Sequence, residues 1–218
     1  MSKNYPVCVA LVSCGLAIML QGAERAAPSR ELGEIIGDDV YVNCEYHLAA
    51  QFPGEPKFRD ITYRDGAKSA PARQFYFERG KDSLSVTVVH LANGPDQDPA
   101  LVDSAVQALH RRGDVHFDFS VFYDDPGVPG HQLNIALPDG RQLRASVYMV
   151  DHRLYITEAA TVDPNDFSGF LFEESVSLID ENGTDFDSNP VGVASSSVGT
   201  SAGLPPRQYD CSRINRKR

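Results

Sequence analysis

An α+β fold, built on an antiparallel and largely meandering β-sheet with helices packed against it, is what this sequence of 218 residues predicts. Three observations carry the prediction. Residues 131–160, HQLNIALPDGRQLRASVYMVDHRLYITEAA, alternate apolar and polar side chains in three runs separated by two short turns. A second period-two pair, residues 73–78 and 84–88, brackets a loop containing Gly80. Between these regions, residues 98–113 change to helical spacing. A half-buried strand needs a period of two and a helix lying on it needs about 3.6, so the switch of period places both in one domain.

The elements follow in chain order. Met1-Ser2-Lys3 precedes a run that is apolar from Val7 to Leu20 except for Ser13 and Gly15, and Gln21-Gly22-Ala23 follows. A basic start, a short apolar core and small residues at its end describe a secretory signal peptide over residues 1–23. The core is 14 residues long, below the roughly 20 that a membrane span requires. Leu11-Val12-Ser13-Cys14 also matches a lipobox, which would make Cys14 a lipid-anchored terminus. The apolar run continues past it to Leu20, where a lipoprotein carries a polar tether. Plain export, to a periplasm or the cell exterior, is therefore the expectation, with no transmembrane helix after the signal is removed.

Residues 24–40 read as a loose leader whose only apolar cluster is Leu32, Ile35 and Ile36, and the domain proper is expected over 41–181. A strand over 40–52 stops at Pro53-Gly54-Glu55-Pro56, and a second, 57–64, ends in the turn Asp65-Gly66. Phe75 and Phe77 share one face of the next strand, and Arg79-Gly80-Lys81-Asp82 loops back to Leu84, Val86 and Val88. Asp98 is an N-cap with Pro99 at the first helical position, where its missing N–H is harmless. Leu101, Val102, Ala105, Val106 and Leu109 form the helix's apolar stripe, and Arg111-Arg112-Gly113 ends it. Val115, Phe117, Phe119 and Val121 return to period two, and residues 124–130 loop into the meander. Leu143, Val147, Leu154 and Ile156 form its apolar face, to be covered by the 98–112 helix and by a short helix over 163–172 carrying Phe167, Phe170 and Leu171. Both helices are expected mainly on that side. A last strand, 176–179, precedes a flexible Ser/Gly/Pro-rich tail over 182–218 with a basic C-terminus.

Charge narrows the function classes. Residues 24–206 hold 14 basic against 29 acidic side chains, a net of −15. Such a body repels nucleic acid and anionic lipid, so a protein or small-molecule partner is expected. Cys8 and Cys14 leave with the signal peptide, and Cys44 and Cys211 remain. In an oxidising compartment they pair within the chain, with free thiols or pairing between chains as the alternatives.

Few residues carry a pattern of catalysis or binding. Gly199-Thr200-Ser201-Ala202-Gly203 matches the nucleophile elbow, but no strand pattern precedes it and no helix pattern follows. His116 and Asp118 alternate onto one strand face and could join His131 as metal ligands in a metal-dependent or hydrolytic enzyme. Outward polar positions of a half-exposed strand look the same, so no metal, no cofactor and no catalysis are expected. Residues 180–187, DENGTDFD, are rich in calcium-type oxygens yet lack the EF-hand spacing, and read as a turn. Asn182-Gly183-Thr184 is a glycosylation sequon if the source is eukaryotic. Tyr148 and Tyr155, on the less apolar face of the meander, are the candidate ligand-binding surface, unless another element covers them.

Phe52-Pro53-Gly54-Glu55-Pro56, Arg153-Leu154-Tyr155-Ile156 and Phe170 five residues before Ser175 fall in an order that resembles a known type. The chain is similar over residues 44–180 to uncharacterised exported bacterial proteins whose core is a PsbP/Mog1-like α/β/α sandwich. The motifs specify structure more than activity, and no catalytic residue comes with them. Proteins of that fold mostly bind or help assemble other components, so the resemblance implies a non-enzymatic role.

Overall fold

The structure, a computed structural model, describes residues 33–36, 40–66, 68–91, 94–123, 127–163, 168–186 and 208–216. The main sheet has seven strands in the order β4 (Lys57–Asp65), β5 (Lys68–Arg79), β6 (Asp82–His90), β10 (Arg153–Thr161), β9 (Gln142–Val150), β8 (Val128–Ala136) and β7 (Asp114–Tyr123). All neighbours are antiparallel. Strands β8, β9 and β10 are the expected meander. The pairing of Arg79 with Asp82 closes the β5–β6 hairpin over Gly80, whose φ is 64°.

A second, four-stranded sheet runs β1 (Glu34–Ile36), β2 (Val40–Asn43), β3 (Leu48–Gln51) and β11 (Ser177–Leu178). Two expectations change here. The 40–52 segment is a hairpin instead of one strand, because Asn43 Oδ1 accepts from the N–H groups of Glu45 and Tyr46 at 3.1 Å each and turns the chain. Part of the leader is ordered, since Ile35 pairs with Tyr41 and Ile36 with Val40.

The helices lie on opposite faces of the main sheet. Helix α1 (Pro99–His110) packs Val102, Ala105, Val106 and Leu109 against Leu133, Leu143, Val147 and Leu154. Asp98 caps it by accepting from Ala100 and Leu101 N–H. Gly113 lets the chain leave it closely, because a Cβ there would stand 2.1 Å from the Ala136 carbonyl oxygen. The other face is covered by the small sheet together with α2 (Ser168–Ser175), where Tyr41, Leu48, Phe52 and Phe172 meet Phe75, Val88, Tyr148 and Tyr155. Helix α2 differs in phase from its expected stripe. Phe167 lies outside the described residues, Phe170 and Leu171 turn outward, and Gly169, Phe172 and Glu173 form the inward face at i, i+3, i+4 spacing.

Of the expected flexible tail, residues 187–207 lie outside the described residues. Residues on either side are anchored. Tyr209 N–H donates to Gly183 O at 2.8 Å, and α3 (Cys211–Arg216) packs Cys211 and Ile214 against Val42, Cys44, Ala49 and Ile179. Cys44 and Cys211 are joined by a disulfide, which fits an oxidising compartment. Among the described residues no helix is long and apolar enough to cross a membrane.

Candidate functional site

Tyr148 and Tyr155 pair in register across β9 and β10, as neighbours on one face. That face is the one under the small sheet, and both rings are buried. The Tyr148 ring stands edge-on to Tyr123 at 5.4 Å and lies so close to Gly130 that a Cβ there would sit 2.2 Å from its Cδ1. Neither tyrosine offers a surface to a ligand. Tyr155 instead supports a turn, its hydroxyl donating to the Tyr46 carbonyl at 3.2 Å. Burial pushes its phenol pKa far above the ordinary value.

The histidine cluster forms with a different membership. Asp118 Oδ1 lies 2.7 Å from His131 Nδ1, and Asp118 Oδ2 lies 3.0 Å from His110 Nε2, with Asp103 3.9 Å from His131 Nε2. His116 is left out because the β7–β8 register shifts between Val115 and Phe117. This bulge inserts one residue, so His116 and Asp118 do not share a face as strict alternation would require. Both Asp118 oxygens are occupied by imidazoles. Among the described residues no group of three or more His, Cys, Asp or Glu is placed to hold a metal ion. In the Asp180 loop, Asp180 Oδ1 accepts from Asn182 and Thr184 N–H at 2.8 Å each, and Asp185 accepts from the Tyr123 hydroxyl at 2.7 Å. These carboxylates hold a turn. Cys14 and residues 199–203 lie outside the described residues.

Another gathering of charged and aromatic side chains lies at the end of the main sheet where β5 and β6 part. Pro71 has no N–H to give, and the β5–β6 ladder begins only at Ala72 and Val89. Beyond that point a cleft of about 420 Å³ is lined by Glu45, Tyr46, Asp60, Ile61, Pro71, Ala72, Arg73, Val88, His90 and Arg153. Alternation puts Arg73 on the same face as Phe75, and Asp60 stands directly opposite it on β4. Arg73 Nε and Nη2 donate to the two Asp60 oxygens at 2.7 and 3.0 Å. Its guanidinium is also held between two rings, 5.0 Å from Tyr46 and 4.9 Å from Phe58. The hydrogen bonds from Arg73 hold the Asp60 carboxyl below the usual carboxylate range.

The cleft's wall is the 44–47 turn, fixed from several sides at once. Asn43 bonds it from within, the Cys44 disulfide ties it to α3, Tyr155 reaches the Tyr46 carbonyl, and the His47 carbonyl accepts from Ile179 N–H at 3.0 Å. Beside it, the β9–β10 turn positions Arg153, which bonds the carboxylate and carbonyl of Asp151 and meets His47 Nδ1 at 3.2 Å. Burial, then the neighbouring Arg153 charge, lowers the His47 pKa. Among the described residues, His47, Asp151 and His152 are the non-glycine residues with positive φ, at 53°, 51° and 57°, and all three sit at this end of the sheet. Backbone strain of this kind, about 1–3 kcal/mol per residue, concentrates at functional sites. Sequence reading missed the cleft because its residues come from five separate segments. The one available signal was the Asp151-His152 turn, a two-residue hairpin loop where Asn-Gly is the usual choice.

No family model matches the chain, and no curated protein matches it. Cyanobacterial PsbP (CyanoP) from Synechocystis sp. PCC 6803, whose solution structure is known, is similar to it in three dimensions: 15% sequence identity, 70% of this chain and 99% of that chain covered, and a TM-score of 0.42.

Proposed function

We propose that this is an exported binding protein that takes a small ligand, or a short stretch of a partner protein, in the Arg73–Arg153 cleft and performs no chemistry on it. One observation carries the reading. In an acidic domain, two largely buried arginines and an exposed histidine line one open cleft, and three strained backbone positions are chain neighbours of its lining residues Tyr46 and Arg153. Its volume is that of a small-ligand site, and its lining mixes ring and aliphatic carbon with a few fixed polar groups. The disulfide and the apolar N-terminal run support export to an oxidising compartment.

Chemical-shift mapping of the ¹⁵N-labelled protein against a fragment library tests the binding reading. Hits should perturb the amides of Glu45, Tyr46, Arg73, His90 and Arg153 as one group. Perturbations scattered over the surface, or none at the cleft, would end it. Intact mass of the mature protein from exporting cells tests the other half: a start near Glu24 supports export by signal cleavage, whereas a diacylated Cys14 replaces it with a lipid-anchored protein.

A further inference from the structure

We propose that the ligand of this cleft presents a carboxylate to Arg73 and Arg153, and that Asp60 is the internal carboxylate it displaces; the inference rests on the binding reading above. The Arg73–Asp60 pair is lopsided. The Arg73 side chain is 11% exposed and its partner Asp60 is 67% exposed. The cation is fixed by two aromatic rings and by its place on an inner strand, while the anion stands in water on the sheet's edge strand. Exchanging a solvated, exposed carboxylate for another costs little, because an ion pair open to water is weak. The guanidinium meanwhile stays where it is, already oriented for two-point recognition.

Donors also remain unused. Among the described residues, Arg73 Nη1 has no acceptor, and Arg153 spends Nη1 on Asp151 and His47 while Nε and Nη2 have none. The Arg153 side chain is 14% exposed, so those donors are not simply solvated like a surface arginine's. His90 pairs with Arg153 across β6 and β10 and lines the same cleft. Two guanidiniums with spare N–H groups thus flank a space in which the protein's own aspartate already demonstrates carboxylate geometry. Tyr46, Pro71 and Val88 add carbon to the lining, which suits a carboxylate carried on an apolar body. A peptide C-terminus and a small organic acid share that chemistry.

The test is a titration, followed by amide shifts, with N-acetylphenylalanine as a peptide-terminus mimic, 3-phenylpropionate as an organic acid, N-acetylphenylalaninamide as the neutral control and inorganic phosphate as a bare oxyanion. Both acids should shift Arg73, His90 and Arg153, with the amide and phosphate about tenfold weaker or worse. The acid that binds more tightly identifies the source of the carboxylate. Asp60→Asn should tighten acid binding about tenfold by removing the competing anion, and Arg153→Gln should weaken it by about as much. The amide keeps an acceptor oxygen for Arg73 and the two flanking rings remain, so D60N should fold, and its melting temperature is recorded beside the titration. Arg73→Lys is the third variant, with R153Q carrying the loss arm if R73K fails to fold. Equal binding of acid and amide, or D60N without a gain, would overturn the carboxylate assignment and leave the cleft as a binding site. Phosphate binding as tightly as the acids would overturn it in favour of a bare oxyanion. Silence of the cleft toward every probe and the fragment library would overturn both readings.

Discussion

Glu173 shows how one residue's burial sets a pH dependence. Its side chain is 3% exposed, its Oε2 accepts from Arg144 Nε at 3.1 Å, and its Oε1 has no hydrogen-bond partner among the described residues. Burial raises its pKa above the ordinary 4.5, and the Arg144 bond and charge only partly oppose that. A carboxyl with a raised folded-state pKa binds its proton more tightly when folded. Its contribution to stability is therefore full below about pH 4.5 and is lost as pH rises through the elevated value. Arg144→Ala removes the counter-charge and should cost about 3–5 kcal/mol at pH 8, where Glu173 would be an unpaired buried anion. The penalty should shrink clearly at pH 5. Urea unfolding at the two pH values measures it, and equal penalties would show that Arg144 contributes packing over Phe170, 4.9 Å from its guanidinium, and no charge.

At the scale of the element, α1 was legible because its signals are local. Asp98, Pro99 and the stripe from Val102 to Leu109 specify start, phase and buried face within one segment. Asp98→Ala should lower stability by about 1 kcal/mol, read from the urea midpoint, with little change in the m-value. The β9–β10 turn behaves differently. Asp151 and His152 both hold positive φ where Asn-Gly would sit without strain. Replacing them by Asn-Gly should relieve about 1–3 kcal/mol of strain per residue, more than the lost pairing of His152 with the Gly94 carbonyl and Asp96 and of Asp151 with Arg153 and His47, so the melting temperature should rise. Unlike Asp60, Asp151 holds Arg153 through Nη1 and leaves its spare N–H groups open, so losing that carboxylate frees the guanidinium from its fixed position, and acid binding in the cleft should weaken as stability rises. A variant that is stabler and binds as well would separate the strained turn from the site. Three features were not legible in the sequence: the β2–β3 hairpin, the bulge at His116 and the phase of α2. Leu48-Ala49-Ala50 has no alternation to mark a strand, and all three are buried between layers. A bulge changes the face of every later residue without changing the composition. Phe170-Leu171-Phe172 offers three large apolar residues in a row, and only the neighbouring surface selects which one turns inward.

For the whole molecule, the disulfide decides how the chain's ends meet. It links residues 167 apart and clips α3 to the turn that walls the cleft. Closing a loop of that length restricts the unfolded chain by about 5 kcal/mol on the chain-entropy model. Cys211→Ser should therefore destabilise the protein by about 2–5 kcal/mol in chemical denaturation. It should also broaden the Glu45 and Tyr46 amide signals, since the turn loses one of its anchors. Loss of stability with the cleft signals unchanged would mean that the remaining bonds to Asn43, Tyr155 and Ile179 hold the wall alone.

The sequence by itself determined the fold class, the meander with its turns and inward residues, the capped helix and the two cysteines available to pair. Each depends on periodicity or on spacing within a few residues, which neighbouring side chains report directly. Only the tertiary structure decided that a second sheet covers the face left open for a ligand, that Tyr148 and Tyr155 lie beneath it, and that His110 takes the place expected for His116. It also decided where the cleft lies, because Tyr46, Asp60, Arg73, His90 and Arg153 meet only after five segments pack. A contact between residues far apart in the chain leaves no periodic trace in it, so the scaffold could be read from the sequence and the site could not.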